Sequence, residues 1–318
     1  MQPSGLLHLG NLMGALDNWR KLQDEYECYY FIADWHALTT QYSDTSKMRT
    51  FVHEMVVDWL SAGLDPDKAV LFQQSHLPEH AVLHMLFSML TPLPWLERVP
   101  TYKEKMEQIS DRDMYTYGFL GYPVLQAADI LIYEADLVPV GIDQLPHLEL
   151  TREICRRFNQ FYGEVFPEPQ PLMTEYPKLP GTDGRKMSKS YNNTLNLSES
   201  PESITKKIMQ MVTDPARIRR QDPGNPDVCP LFALDKIFAP KSWCDHVDVE
   251  CRRAGIGCVD DKKELLKHLL AYLKPIQDRR QDFAARPERV TEIIREGSRK
   301  ARIVAAETLA AVNEAMKL

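Results

Sequence analysis

Cys28-Tyr29-Tyr30-Phe31-Ile32 is a short aromatic and β-branched run of the kind that fills a buried strand. Before it, Leu12, Leu16 and Trp19 recur at helical spacing after Asn11, so the chain reads helix, then strand. After it, Met48, Phe51, Met55 and Trp59 give a second helical stripe, with Ser43 or Asp44 as N-cap and Gly63 as stop, and residues 69–73 read as another strand. Helix and strand in alternation imply parallel strands joined by crossovers, hence an α/β fold with an open, doubly wound, Rossmann-like parallel sheet. Ligands of such sheets sit outside the carboxyl ends of the strands.

Further along, residues 163–191 are rich in Pro and Gly and read as a connection carrying a mobile loop. Apolar residues then recur at helical spacing over 262–273 and 287–316. The expected division is a catalytic Rossmann-like domain over residues 1–195 and a C-terminal α-helical domain over 196–318, and a chain of 318 residues with 44% apolar composition supplies two such cores.

Six cysteines spread from Cys28 to Cys258 lack the density of a secreted disulfide framework, and no signal or transit segment opens the sequence, so a cytoplasmic address is expected. The longest apolar stretch, residues 82–96, is broken by Ser88, Pro92 and Pro94, and no membrane association is expected. A formal net charge of -7 argues against a non-specific nucleic-acid coat, whose binding is phosphate neutralisation. Local basic clusters remain as candidate RNA contacts: Arg217 with Arg219 and Arg220, Arg252 with Arg253, and Arg279 with Arg280.

Two motifs carry the chemistry. His8-Leu9-Gly10-Asn11 opens the first helix after Gln2-Pro3-Ser4-Gly5, where unpaired backbone amides and the positive dipole end favour an anion. Lys186-Met187-Ser188-Lys189-Ser190 follows Pro180-Gly181-Thr182-Asp183-Gly184, a flexible segment that lets two cations swing onto a phosphate chain. In this order and at this separation the pair resembles the two signatures of the class I aminoacyl-tRNA synthetases. Four more stretches resemble the bacterial tryptophanyl family of that class: Met1-Gln2-Pro3-Ser4-Gly5, Ala127-Ala128-Asp129-Ile130-Leu131, Pro139-Val140-Gly141-Ile142-Asp143-Gln144 and His147-Leu148-Glu149-Leu150-Thr151-Arg152.

That resemblance implies activation of L-tryptophan with ATP and transfer of the product to tRNA(Trp). A carboxylate is already ionised at neutral pH, so catalysis is placement and charge stabilisation rather than general base chemistry. By resemblance, Gln2, Pro3, Ser4, His8, Gly10 and Asn11 hold the nucleotide, and Lys186 and Lys189 neutralise charge building on the leaving pyrophosphate. Lys105 is a third phosphate contact, while Leu179, Met187, Ser188 and Ser190 complete the ATP site. Gly141, Ile142 and Asp143 form the ribose turn, with Ile142 where many relatives have an acid. Magnesium accompanies the triphosphate, held more by phosphate and water than by protein.

Asp129 lies in an otherwise apolar helical stretch, where a buried charge needs a donor. Pairing with a neighbouring base is one reading. The resemblance gives another, in which Asp129 accepts the indole N–H, Tyr122 and Gln144 address the amino-acid head group, and His36, Gln2 and Gln126 line the same pocket.

Cys229, Cys244, Cys251 and Cys258 fall in a short window, and some tryptophanyl synthetases carry an iron–sulfur cluster there. Asp261 stands where the last ligand belongs, which argues against a cluster and leaves metal binding by these thiols open. The family also implies a homodimer. Relatives place a strand ahead of the Gln-Pro-Ser-Gly turn, so backbone groups left unpaired beside the ATP site are expected at Met1. A tyrosyl synthetase and a catalytically silent paralogue remain open, although Asn11 favours tryptophan.

Overall fold

The computed structural model of the chain describes residues 1–100, 116–173 and 179–318. Strands β1 (Cys28–Ile32) and β2 (Ala69–Gln73) pair in parallel from Cys28↔Ala69 to Ile32↔Gln73. Between them run α3 (Asp34–Gln41) and α4 (Met48–Ala62), the crossover that a parallel pair needs. A second parallel pair, β3 (Leu137–Val140) with β4 (Gln170–Met173), is bridged by α8 (Leu145–Tyr162).

Alternation of side chains along β1 and β2 feeds two cores, one on each face of the sheet. Cys28, Tyr30, Ile32, Ala69 and Leu71 pack with Leu9, Leu16 and Trp59. Tyr29, Phe31, Val70 and Phe72 pack with Phe87, Phe158 and Ala305. The first core does not stop at residue 195. Ile204 of α9 (Pro201–Gln210), Leu231 and Leu234 of α10 (Pro230–Phe238), and Leu265 and Leu269 of α12 (Cys258–Ala284) all join it.

The last helix, α13 (Pro287–Met316), returns to the sheet. Gly297 lies so close to β2 that an added Cβ would sit 1.8 Å from the Leu71 carbonyl oxygen, so only glycine fits there. Gly63 ends α4 in a left-handed conformation, with φ of 104°, as its place in the sequence predicts. The helix itself starts later than expected, at Met48, and neither Ser43 nor Asp44 caps it. Strand β4 falls inside the segment read as a connection, because Pro171 has no backbone N–H and breaks the strand pattern.

The first helix is interrupted. Leu9–Asn11 (α1) and Asp17–Leu22 (α2) flank a π-helical turn at Leu12–Leu16. Upstream, the backbone groups expected to be unpaired at Met1 are bonded: its ammonium donates to Phe31 O at 2.6 Å, and its carbonyl accepts from Ala33 N at 2.8 Å. These are the two bonds of a parallel bridge opposite Ile32, and they hold the first turn against the carboxyl end of β1.

Candidate functional site

The carboxyl ends of β1 and β2 carry Asp34, His36, Gln73, Gln74 and Ser75, the position at which open parallel sheets bind ligands. Asp34 accepts from Gln73 Nε2 at 2.7 Å and from Ser75 N at 3.0 Å, and the Ser75 hydroxyl also donates to it, so the two strand ends are clamped together. Beyond them lies Asp129, on α7 (Tyr117–Leu131), 3% exposed. His36 Nε2 donates to its Oδ2 at 2.6 Å, while Gln74 Nε2 and His80 Nδ1 donate to its Oδ1, each at 2.7 Å. Burial works to raise the Asp129 pKa, but the charge attraction and hydrogen bonds of His36 and His80 outweigh it and hold the carboxyl at about 2. An ionised acid in an apolar helix is thereby satisfied, as the sequence demands.

Tyr122 and Gln126 share the α7 face that carries Asp129, at positions seven and three residues before it. The Tyr122 hydroxyl lies 2.8 Å from His147 Nε2, at the start of α8. Gln144 bonds instead to Asp143, from Nε2 to Oδ2 at 3.1 Å, and Ile142 is 79% exposed beside it. The structure thus brings His36 and Asp129 into contact and leaves Gln144 turned toward its neighbour. Gln74, His80 and Tyr133 have no motif around them and were not expected. Only through-space proximity reveals them.

The two signature segments also meet. Lys189 Nζ donates to Gly5 O at 2.9 Å, beside a Gly5 with φ of 129°. Burial lowers the Lys189 pKa to about 8, and burial plus the charge of Lys189 lowers that of His8 to about 4, so His8 is neutral. Behind them Asp58 pairs with Arg280 at 2.8 Å and attracts Lys189.

One expectation fails at the first helix. Its leading amides are not available to an anion: Leu9 N donates to Leu195 O at 2.8 Å, Gly10 N to His8 Nδ1 at 3.1 Å, and Asn11 N to His8 O at 2.8 Å. Asn11 Oδ1 in turn accepts from His8 N at 3.0 Å, so a reciprocal capping arrangement satisfies the turn from within. Any phosphate here meets side chains and the dipole rather than bare amides.

Nor is the 180–184 segment loose. Gly181 N donates to Arg185 O at 2.7 Å, Thr182 N to Asn193 O at 3.0 Å, and Met187 N to Leu179 O at 2.9 Å. Asn193, 2% exposed, accepts from Ser188 N at 2.8 Å and donates to Asp183 and to Lys186 O. Of the remaining candidates, Gln2, Ser4, Lys186 and Ser190 are exposed around this junction, Pro3 is buried, and Lys105 lies outside the described residues.

Among the described residues no group of three or more His, Cys, Asp or Glu is arranged to hold a metal ion. Cys229, Cys251, Cys258 and Asp261 line one small pocket, but Arg217 shares it. Its Nη1 lies 3.6 Å from Cys251 Sγ and 3.7 Å from Cys258 Sγ, and its Nη2 donates to Ile256 O at 2.6 Å. Asp261 is turned to Trp243 Nε1 at 3.2 Å, and burial raises the Cys229 and Cys251 thiols above their usual range. A guanidinium among protonated thiols does not fit an iron–sulfur cluster, which needs thiolates. Cys244, on α11 (Lys241–Arg252), has its thiol 4.0 Å from Ala239 O.

Basic pairs are mostly committed to acids or carbonyls. Arg279 donates to Ser61 O at 2.7 Å, Arg280 bonds Asp58 and Glu54, Arg252 bonds Asp227 and Asp248, and Arg253 bonds Glu250. The described helices include none long and apolar enough to cross a membrane.

Comparison with known proteins agrees with this geometry. The family model of the class I tRNA synthetases for W and Y matches residues 1–274. A tryptophan–tRNA ligase of Thermotoga maritima is 53% identical, covering 100% of this chain and 98% of that one. One from Aquifex aeolicus is 45% identical over 100% and 98%. Among solved structures, tryptophanyl-tRNA synthetase from Campylobacter jejuni complexed with ADP and tryptophan superposes with a TM-score of 0.90 at 34% identity, covering 100% of this chain and 98% of that one. From its signatures, its fold and these relatives, the chain belongs to the class I tRNA synthetases of the tryptophan and tyrosine family.

Proposed function

We propose that this enzyme activates L-tryptophan with ATP, forming tryptophanyl-adenylate and pyrophosphate, and then charges tRNA(Trp). The observation that carries the reading is Asp129, a buried carboxylate held by His36, Gln74 and His80 and near enough to the Met1 ammonium to attract its charge. In the proposed mechanism Asp129 accepts the indole N–H, and His36, Gln126, Tyr122 and Gln144 bound the amino acid. A site built around such an acceptor rejects side chains without a donor by ~10⁴ or more. The tryptophan carboxylate attacks the α-phosphate. Lys189 and Lys186, with Lys105, meet the charge that grows on the departing β- and γ-phosphates, while His8, Asn11 and the Gly141–Asp143 turn hold the nucleoside. Magnesium, carried in on the triphosphate, would neutralise its oxygens.

Residues 1–195 supply this chemistry and 196–318 the tRNA contacts. We also propose a homodimer through one face of α5 (Pro78–Leu90), where Val82, Met85 and Met89 are exposed in line with Leu93 of the following helix. A second copy suits this self-repeating apolar stripe, and Met89→Glu should convert the dimer to a monomer by sedimentation. The function is tested by pyrophosphate exchange with each amino acid in turn. Exchange with tryptophan alone is expected, and exchange with tyrosine alone, or none, overturns the reading.

A further inference from the structure

His80 and Tyr133 form a directed chain behind Asp129. An ionised carboxylate only accepts, so His80 donates to it from Nδ1, and its Nε2 faces the other way. The Tyr133 hydroxyl, 2.7 Å from that Nε2, closes a hydrogen bond on the far side of the ring and holds its orientation. The imidazole is fully buried and packed among Phe31, Phe72 and Tyr133, and Tyr133 itself stacks on Tyr29 with centroids 4.7 Å apart.

The bonds to the carboxylate are unequal. Oδ1 accepts from both His80 and Gln74, which fills its two lone pairs, whereas among the described residues Oδ2 accepts from His36 alone. We propose that His80, held by Tyr133, is a positioning residue for amino-acid selection: by saturating Oδ1 with Gln74 it aims Oδ2 at the indole N–H. This rests on the reading of Asp129 given above. Without His80 the carboxylate gains a second open acceptor, can rotate or take up water, and no longer demands one donor at one place.

The experiment compares His80→Leu, His80→Asn and Tyr133→Phe in pyrophosphate exchange. Asparagine keeps a donor near the place of Nδ1, and phenylalanine keeps the ring stack while removing the hydroxyl. Two readouts are taken: KM for tryptophan against KM for ATP, and the ratio of kcat/KM for tryptophan over 3-benzothienylalanine, whose ring sulfur replaces the N–H. His80→Leu should raise the tryptophan KM about tenfold or more, leave the ATP KM unchanged and contract the ratio similarly, the scale of one charge-assisted hydrogen bond. His80→Asn should hold both within about threefold, and Tyr133→Phe should contract the ratio about threefold, being one bond further back. If His80→Leu does not fold, the other two variants carry the test. A wild-type ratio near one overturns the reading of Asp129 and the relay with it. A high wild-type ratio that Tyr133→Phe and any folded His80→Leu retain overturns the relay alone.

Discussion

The ammonium of Lys189 donates to the carbonyl oxygen of Gly5 at 2.9 Å, so two segments 184 residues apart in sequence close on each other. To meet phosphate, the lysine must exchange this acceptor for a stronger one. Lys189→Ala should therefore lower kcat for activation about 10²-fold or more and leave tryptophan affinity unchanged, because the charge meets the phosphates and not the amino acid. Single-turnover adenylate formation, measured beside equilibrium tryptophan binding, checks this, and an unchanged rate removes Lys189 from the mechanism.

The same lysine sets a pH dependence. Its pKa is lowered to about 8 by burial, and a triphosphate binds the charged form. Above pH 8 a proton must be taken up on binding, so the ATP KM should climb by up to tenfold per pH unit until the bound-state pKa is passed. Arg in its place stays charged and should flatten the climb. A wild-type KM that is constant from pH 7.5 to about 9.5 would remove the claim.

Asp58 and Arg280 form the strongest stability prediction. Asp58 is 1% exposed, and burial raises its pKa to about 6 even though Arg280 opposes the shift. A folded-state pKa above the unfolded one contributes stability that is present below the unfolded value near 3.8 and lost as pH rises through about 6. Arg280→Met leaves that carboxylate buried without its partner, at a cost of about 3–5 kcal/mol at pH 7.5. At pH 5 the acid is protonated and the loss should shrink. Urea unfolding at the two pH values decides it, and equal losses would mean that Asp58 is not the group responsible.

Anaerobic treatment with iron and sulfide should leave the protein without stoichiometric iron or visible charge-transfer absorption, because Arg217 stands between Cys251 and Cys258. Chelation should not move the Tm. A filled cluster would show that Arg217 yields and that Asp261 can ligate.

Local sequence carried much of this fold and less of the site. β1 and β2 were legible because alternate side chains feed two cores, and α13 because Pro287 opens a long stripe. β4 was hidden by Pro171, whose missing donor is tolerated where it falls in this pair. Asp129 could be singled out because a charge in an apolar helix asks for partners. Which partners answer depends on how Gln74, His80 and Tyr133 approach across the sheet, and no periodicity encodes that. The amides at the first helix were misread for a similar reason: Leu195, far along the chain, supplies one of the acceptors.

Gln73 of β2 donates its backbone N–H to Ser298 Oγ at 3.4 Å across 225 residues, and Gly297 beside it seats the last helix on the sheet. During synthesis the strand that anchors the site is made 225 residues before the serine that covers it. Until then one flank of the sheet exposes apolar surface. Closing so long a loop carries an entropic cost, so the seating of this helix is a late step of folding.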